Sequence, residues 1–522
     1  MSYWKACKIG GVCPLAVHRS CPLLLVAIAF LLSCVLYYPH MWDNDIWFIL
    51  STGRSIVQDG FFTVDPPTLH QGLSYLPQQW LSAVLDWSVY SMVGQGGLVF
   101  LYYLFAAVLV ILFFRLGLLV INGPRIVPAI ITALFTFFIL SFVNVRPHVF
   151  DFIVIVSTAL LLEKYTIQGN IRWLIPLPII EVVEMNLHMT MWPLMFIVGA
   201  GYFLFVPKKY PYRRTPLLIC GCVCLISCFV NPYGLDGVTF VMRSLAVDLS
   251  TANIIELQPA SLENSYGKQF FLLLFAMAVF IRYKKPNVPA RWLAILMVFI
   301  GMALATSRSI PLFYLACFVV MLFAFADGHT LFLDKVNARI QTQKTKRMVK
   351  GALGTFLAVG SLAVLAAGIH GISQYPDRAE KSRQETAIWL AENAPIGSKV
   401  YTCFNDGGLL EFYGFKAYID PRAELFYKEM NGQKDIMSEW WAMKSGELDF
   451  NDLVAEYDFD YIFVNGISDS SLYYGLYISP EYTLIYDDYC CSIYMSVEKA
   501  EQSGYRAIPK TDVLPEALSA TA

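Results

Sequence analysis

The chain of 522 residues reads as a succession of apolar blocks separated by short polar turns. About 20 consecutive apolar residues suffice to cross a bilayer as a helix. About eleven such blocks fall within the first 371 positions, near 21–38, 97–121, 126–143, 149–163, 173–184, 189–206, 216–231, 269–282, 289–305, 310–326 and 349–371. The segment 77–93 is only moderately apolar and carries Trp80, Asp86 and Trp87, which predicts a separate helix lying in the membrane interface. Beyond 371 the periodicity changes. Positions 384–393 have the spacing of a short amphipathic helix closed by Pro395 and Gly397, and SKVYTCF follows as a strand. KAYIDPR, a helix near 451–457, DYIFVN and the paired runs YTLIYDD and CCSIYMSV complete a small α/β domain. The expected architecture is mainly α: a polytopic membrane helical bundle over 1–371, with a long first outside loop at 39–96, and an extracytoplasmic α/β domain over 372–522.

Composition sharpens this picture. Hydrophobic residues make up 57% of the chain and charged residues 15%, against about 25% charged in ordinary soluble domains; a disordered chain and a typical cytosolic enzyme are excluded. The net charge of −2 gives no footing for nucleic acid. That near-zero total divides unevenly, with 26 basic and 15 acidic residues up to 371, and 12 basic and 25 acidic after it. Lysine and arginine are retained on the cytoplasmic side of a membrane. With the N-terminus inside, the cytoplasmic ends of the spans collect twenty-one basic residues, beginning with Lys5, Lys8 and Arg19, and the outer ends only five. The first loop and the acidic C-terminal domain then face outside. The block 21–38 is expected to stay as an uncut anchor, and the absence of any Asn-x-Ser/Thr acceptor favours a bacterial plasma membrane.

Most unusual polar residues fall on the outer side. The first loop opens with Trp42-Asp43-Asn44-Asp45-Ile46-Trp47 and continues through Thr52-Gly53-Arg54, Gly60, Asp65-Pro66, His70 and Gln79-Trp80. The other outer turns add Arg146-Pro147-His148, Glu184, Asn186-x-His188, Asn231-Pro232-Tyr233-Gly234 and Arg308. A carboxylate at a membrane boundary is costly when unused, so Asp43 and Asp45 are candidates for a base toward an acceptor hydroxyl or for ligands of Mg²⁺ or Mn²⁺. Glu184 and His188, four apart, share a face if the helix continues through them.

In order and sidedness these motifs, together with Ile419-Asp420-x-Arg422 in the outer domain, resemble the GT-C superfamily of membrane glycosyltransferases over nearly the whole chain. The resemblance implies transfer of a hexosyl or pentosyl group from a polyprenyl-phosphate donor to a glycan, lipid or protein acceptor at the outer face. It implies a catalytic role for Asp43 and Asp45, and substrate binding by Arg54, His70, Arg146, His148, Glu184, His188 and Arg308. No motif fixes the basic residue that meets the donor phosphate.

Plainer readings stand beside these. The two aspartates can cap the loop boundary, Arg146, His148 and Arg308 can snorkel to headgroups, and Asp420 with Arg422 can be an ion pair ordering the outer domain. A transporter or lipid flippase would draw on Asp151 and Glu163, the few acids inside spans, although no internal repeat is visible. A non-catalytic envelope-assembly protein is a third class. Cys220, Cys222, Cys224 and Cys228 read as packing residues, and Cys7, Cys13, His18 and Cys21 lack zinc spacing. Cys403, Cys490 and Cys491 allow one disulfide, with connectivity open.

Overall fold

The computed structural model describes residues 21–121, 125–205, 211–246, 258–263, 265–326 and 343–510. The basic N-terminal residues, the Lys208–Lys209 turn, Lys335, Arg339 and the Cys7, Cys13 and His18 positions lie outside the described residues.

The apolar blocks form helices α1 (Cys21–Tyr37), α3 (Trp80–Val120), α4 (Ile126–Ile139), α5 (His148–Gln168), α6 (Pro176–Leu187), α7 (Pro193–Leu204), α8 (Arg214–Ser227), α10 (Ser265–Lys284), α11 (Ala290–Ala305), α12 (Ile310–Ala326) and α13 (Gln343–Ser373). Two further helices have no counterpart among the expected elements: α2 (Ile46–Asp59), inside the first loop, and α9 (Gly234–Ala246), which is apolar on one side only. Among the described residues, the helical stretches at 22–40, 80–120, 265–284 and 307–326 are long and apolar enough to cross a membrane, and four more apolar helices are shorter. The expected count of eleven spans therefore contracts to four by length and composition. Proline shortens several of the rest: Pro176 and Pro193 start α6 and α7, where a missing N–H costs nothing.

The segments expected separately at 77–93 and 97–121 are one helix broken at Gly94. Its φ of 67° and ψ of −166° interrupt the helical path, a conformation that glycine adopts at little cost. Packing runs α1 against α4 and α13, α3 against α5, and α5 against α7. Glu163 joins three helices. Its carboxylate takes a bidentate guanidinium from Arg291, the Tyr202 hydroxyl at 2.6 Å and the Trp292 indole at 3.1 Å. A buried charge so fully partnered clamps α5, α7 and α11 together.

Beyond α14 (Arg378–Asn393), strands β1 (Lys399–Tyr401), β2 (Lys416–Ala417), β3 (Tyr461–Asn465), β4 (Tyr482–Asp488) and β5 (Cys491–Ser496) form a mixed sheet in the order β2-β1-β3-β5-β4. β1 runs parallel to β2 and β3, while β3–β5 and β5–β4 are antiparallel. KAYIDPR contributes only two strand residues, because the chain turns into the Asp420–Arg422 ion pair. Every residue of β3 is buried, as an apolar run covered on both faces requires. One face packs on Ala387 and Leu390 of α14, and the other on a cluster that includes Trp440, Leu453 and, from the first loop, Leu73 and Tyr75. Cys403, Cys490 and Cys491 are free thiols, so the disulfide allowed by the sequence is absent; the neighbouring Cys490 and Cys491 sulfurs stand 3.8 Å apart.

Candidate active site

Helix α1 gives way to a short turn at Tyr38–His40, and buried Met41 and Trp42 fix the chain before Asp43. Asp43 Oδ1 accepts the Asp45 amide at 3.0 Å, folding Asp43-Asn44-Asp45 into a tight turn at the start of α2. Asp45 occupies the N-cap position, yet its side chain makes no capping hydrogen bond. Both carboxylates turn to Arg146, whose Nη2 lies 2.6 Å from Asp43 Oδ1 and 2.7 Å from Asp45 Oδ2. Asn144 Nδ2 donates to the other Asp43 oxygen at 3.0 Å, and the Val145 amide bonds the Met41 carbonyl. Two turns distant in sequence are thus sewn together. The carboxylates keep 24% of their side-chain surface open, and Arg146 keeps 13%.

Two residues past Arg146, α5 begins with His148 and places Asp151 in its first turn. Asp151 accepts from His188 Nδ1 at 2.8 Å and meets His148 Nδ1 at 3.4 Å; the two imidazole centres are 5.2 Å apart. Glu184 lies against Asp151, is fully buried, and finds no donor for either oxygen. Helix α6 ends at Leu187, one residue short of His188, but the His188 amide still bonds the Glu184 carbonyl at 2.8 Å. The turn carrying His188 is held by the start of α3: Trp80 Nε1 donates to Asn186, Ser82 Oγ to the Leu187 carbonyl, and the Met189 amide to the Gln78 carbonyl. Exposed Arg308 reaches His148 Nε2 at 3.4 Å. Beside this turn an open, mainly apolar cavity of about 770 Å³ is lined by Phe61, Trp80, Val183, Asn186, Phe229 and Pro232.

The structure therefore brings Asp43, Asp45 and Arg146 into one cluster, and Glu184, His188, His148 and Arg308 into another that begins two residues away. It adds Asp151 to the second. The signal for Asp151 was its spacing of three from His148, which puts both on one helical face. It adds Arg383 to the first: Arg383 Nη2 donates to Asn44 Oδ1 and pairs with Glu380 at 2.6 Å, so α14 grips the residue between the two aspartates. No local sequence signal marks that contact, which spans 339 positions.

Arg54 and His70 stand elsewhere. Arg54 donates to the carbonyls of Phe412 at 2.8 Å and Glu411 at 3.2 Å, and its guanidinium stacks over Trp87 and Phe412. Gly53, beside it, lets α2 cross α3 in contact: a Cβ there would come 2.0 Å from the Ala83 carbonyl oxygen. His70 Nε2 bonds the Tyr418 carbonyl at 2.7 Å among Tyr418, Phe426 and Tyr457. Burial pushes its pKa down to about 4, so the ring is neutral and Nε2 is the donor. Arg422 is surrounded by Asp420, Asp65 and Glu411, nearly all of it out of solvent. Burial raises the Asp65 and Glu411 carboxyls above their usual range; the Arg422 charge works against that rise.

Neither a family model nor a curated protein sequence matches the chain. Solved structures do. The apo oligosaccharyltransferase of Archaeoglobus fulgidus superposes with a TM-score of 0.57 at 12% identity, over 90% of this chain and 73% of that one. ArnT from Cupriavidus metallidurans, also apo, gives 0.52 at 12% identity over 93% and 98% of the two chains. Mycobacterial arabinofuranosyltransferase AftD gives 0.51 at 13% identity, over 92% of this chain and 40% of its own. The chain has the GT-C fold.

Solved GT-C structures similar to this chain include the Archaeoglobus enzyme with an inhibitory peptide and a dolichol-phosphate, the same enzyme with Zn and sulfate, and ArnT with undecaprenyl phosphate. A metal in a chain of this fold would have two candidate positions. Between Asp43 and Asp45 the residues do not fit one, because an arginine nitrogen already bridges them. His148, Asp151 and His188 offer three ligand atoms within 4.8 Å of one another. Two imidazoles and a carboxylate are a donor set suited to a transition metal such as zinc, and the buried Glu184 lies beside them as a second carboxyl group.

Proposed function

We propose that this protein is a membrane glycosyltransferase that moves a sugar from a polyprenyl-phosphate donor to an envelope acceptor at the outer face of the membrane. The observation that carries the reading is the half-open Asp43–Asp45 pair, held by residues of the second outer turn within a GT-C fold. In the reaction an acceptor oxygen forms a bond to the anomeric carbon, the bond from that carbon to the phosphate oxygen breaks, and the polyprenyl phosphate leaves with the electron pair. Asp45 takes the acceptor proton and Asp43 holds the turn and the charge balance. Positive charge is needed where the phosphate departs, and exposed Arg308 beside His148 supplies it. The apolar cavity next to Asn186 suits the polyprenyl chain. A transition-metal ion at His148, Asp151 and His188 would add positive charge near the same phosphate.

The reading divides the chain into a membrane part over 1–371 and an outer domain over 372–522, with the N-terminus cytoplasmic. The basic asymmetry supports this orientation, and cysteine accessibility tests it: a probe at 440 should label from outside and one at 340 should not. Activity is tested with the full chain in liposomes supplied with extracted lipid-linked sugars, followed by mass spectrometry. Loss of transfer in an Asp43→Asn, Asp45→Asn double variant that inserts normally is expected. Transfer at the parent rate would return the loop to a structural role.

A further inference from the structure

We propose that Arg146 is the resident cation of the Asp43–Asp45 pair, filling the position between the two carboxylates that a divalent ion would otherwise take. The inference deepens the glycosyltransferase reading and rests on it for its catalytic meaning, although its test does not. One guanidinium nitrogen carries two N–H groups, and Nη2 of Arg146 lies within hydrogen-bond distance of one oxygen of each aspartate, at 2.6 and 2.7 Å. Those separations are the charge-assisted kind. Magnesium would demand oxygen ligands at about 2.0–2.1 Å in near-octahedral array, which the bridging nitrogen precludes. The remaining contacts set the site for a fixed arginine: Asn144 Nδ2 donates to Asp43 Oδ2, and the Asp45 amide shares Asp43 Oδ1 with Arg146, so both oxygens of Asp43 are engaged by N–H donors.

Arginine cannot lose its proton in a protein, so a cation of this kind neither exchanges with solvent nor depends on metal supply. It holds the two carboxylates close and offsets their mutual repulsion. Metal chemistry in this fold, where it occurs, is then left to the His148, Asp151 and His188 group.

The experiment compares Mn²⁺ binding by electron paramagnetic resonance in the full-length protein in detergent, for the parent, Arg146→Ala, Asp43→Asn, and the Arg146→Ala, Asp43→Asn double variant. Removing the guanidinium should open one additional Mn²⁺ site, and Asp43→Asn should abolish that additional site. The Mn²⁺ bound by the parent should be unchanged by Asp43→Asn, which separates the aspartate pair from the histidine cluster. If Arg146→Ala does not fold, Arg146→Gln, which keeps bulk and drops the charge, carries the same expectation. Added Mn²⁺ should also raise transfer by the arginine variant at least tenfold and leave the parent rate as it is. No additional site in either neutral variant, or loss of a parent site on Asp43→Asn, would overturn the proposal. If no protein transfers sugar at all, the glycosyltransferase reading fails while the Mn²⁺ count still decides this one.

Discussion

Arg146 and Arg422 are each gripped by aspartates, each tie the first loop to a distant turn, and differ in one respect, their access to solvent. Arg146 and its two carboxylates keep 13% and 24% of their surfaces open; Arg422 keeps 1% and its three carboxylates none. The closed cluster spends all its hydrogen-bonding capacity internally and faces Tyr75 across the guanidinium. It can hold the outer domain on the loop but can receive nothing. The open cluster sets an arginine against carboxylates in the same way and keeps part of its surface in contact with solvent. Burial, more than residue type, separates an anchor from a site.

The largest way to break this comparison is to remove the closed arginine. Arg422→Met strands Asp65, Glu411 and Asp420 without a counter-charge and should cost about 3–5 kcal/mol of stability, read as an earlier denaturant midpoint for the outer domain; an unchanged midpoint would show that the cluster anchors nothing. Next, if Asp45 takes the acceptor proton as proposed, Asp45→Asn should lower transfer by on the order of 10²-fold or more while leaving that midpoint in place, because the residue is only part-buried and outside the closed cluster. Asp43→Asn should follow it closely if the pair acts as a unit, and lag well behind if Asp45 works alone.

A smaller effect sharpens the open side. Arg383→Gln loosens the grip on Asn44 and should cost about tenfold in transfer through misplacement of the aspartates, with partial recovery in Arg383→Lys; equal losses in both would assign Arg383 a role in general folding. The smallest concerns pH. His70 has its folded pKa lowered from 6.5 to about 4, so the stability it confers is fully present above pH about 6.5 and is lost as pH falls toward 4. The outer domain should weaken across that window by at most about 1.4 kcal/mol per pH unit, and His70→Gln should flatten the dependence.

Sequence patterning served the two regions unequally. Apolar blocks located α10, α11 and α12 within a few residues, and short runs of strand-forming residues located β3, β4 and β5, because burial leaves its mark on each. The gap expected between 77–93 and 97–121 fell on Gly94-Gln95-Gly96, where the chain breaks at Gly94 but resumes at once as helix, so a kink stands where two separate helices were expected. Helix α2 was missed because its polar residues, Thr52, Arg54 and Asp59, read as loop, whereas its buried side contacts a partner that only folding provides. At the candidate site the aspartates and Arg146 were legible from sidedness. The Asp151 carboxylate was read as an intramembrane acid, since nothing local tells that His188 will arrive from 37 residues away. Arg54 and Arg383 drew their meaning from carbonyl and amide partners more than 300 positions distant, beyond any periodicity.

Helix α2 also has a mechanical meaning. It carries Asp45 at its first residue boundary and Arg54 nine residues on, a rigid rod of about 13 Å at 1.5 Å per residue. Arg54 bolts it to the outer domain through the Phe412 and Glu411 carbonyls, and Gly53, the residue before, seats the same end on α3, where no side chain can intervene. A rod held at one end carries any movement of its mount straight to the other. The outer domain and the Asp43–Asp45 turn are thus joined through one helix with no loop between them, so a displacement of the one is passed to the other.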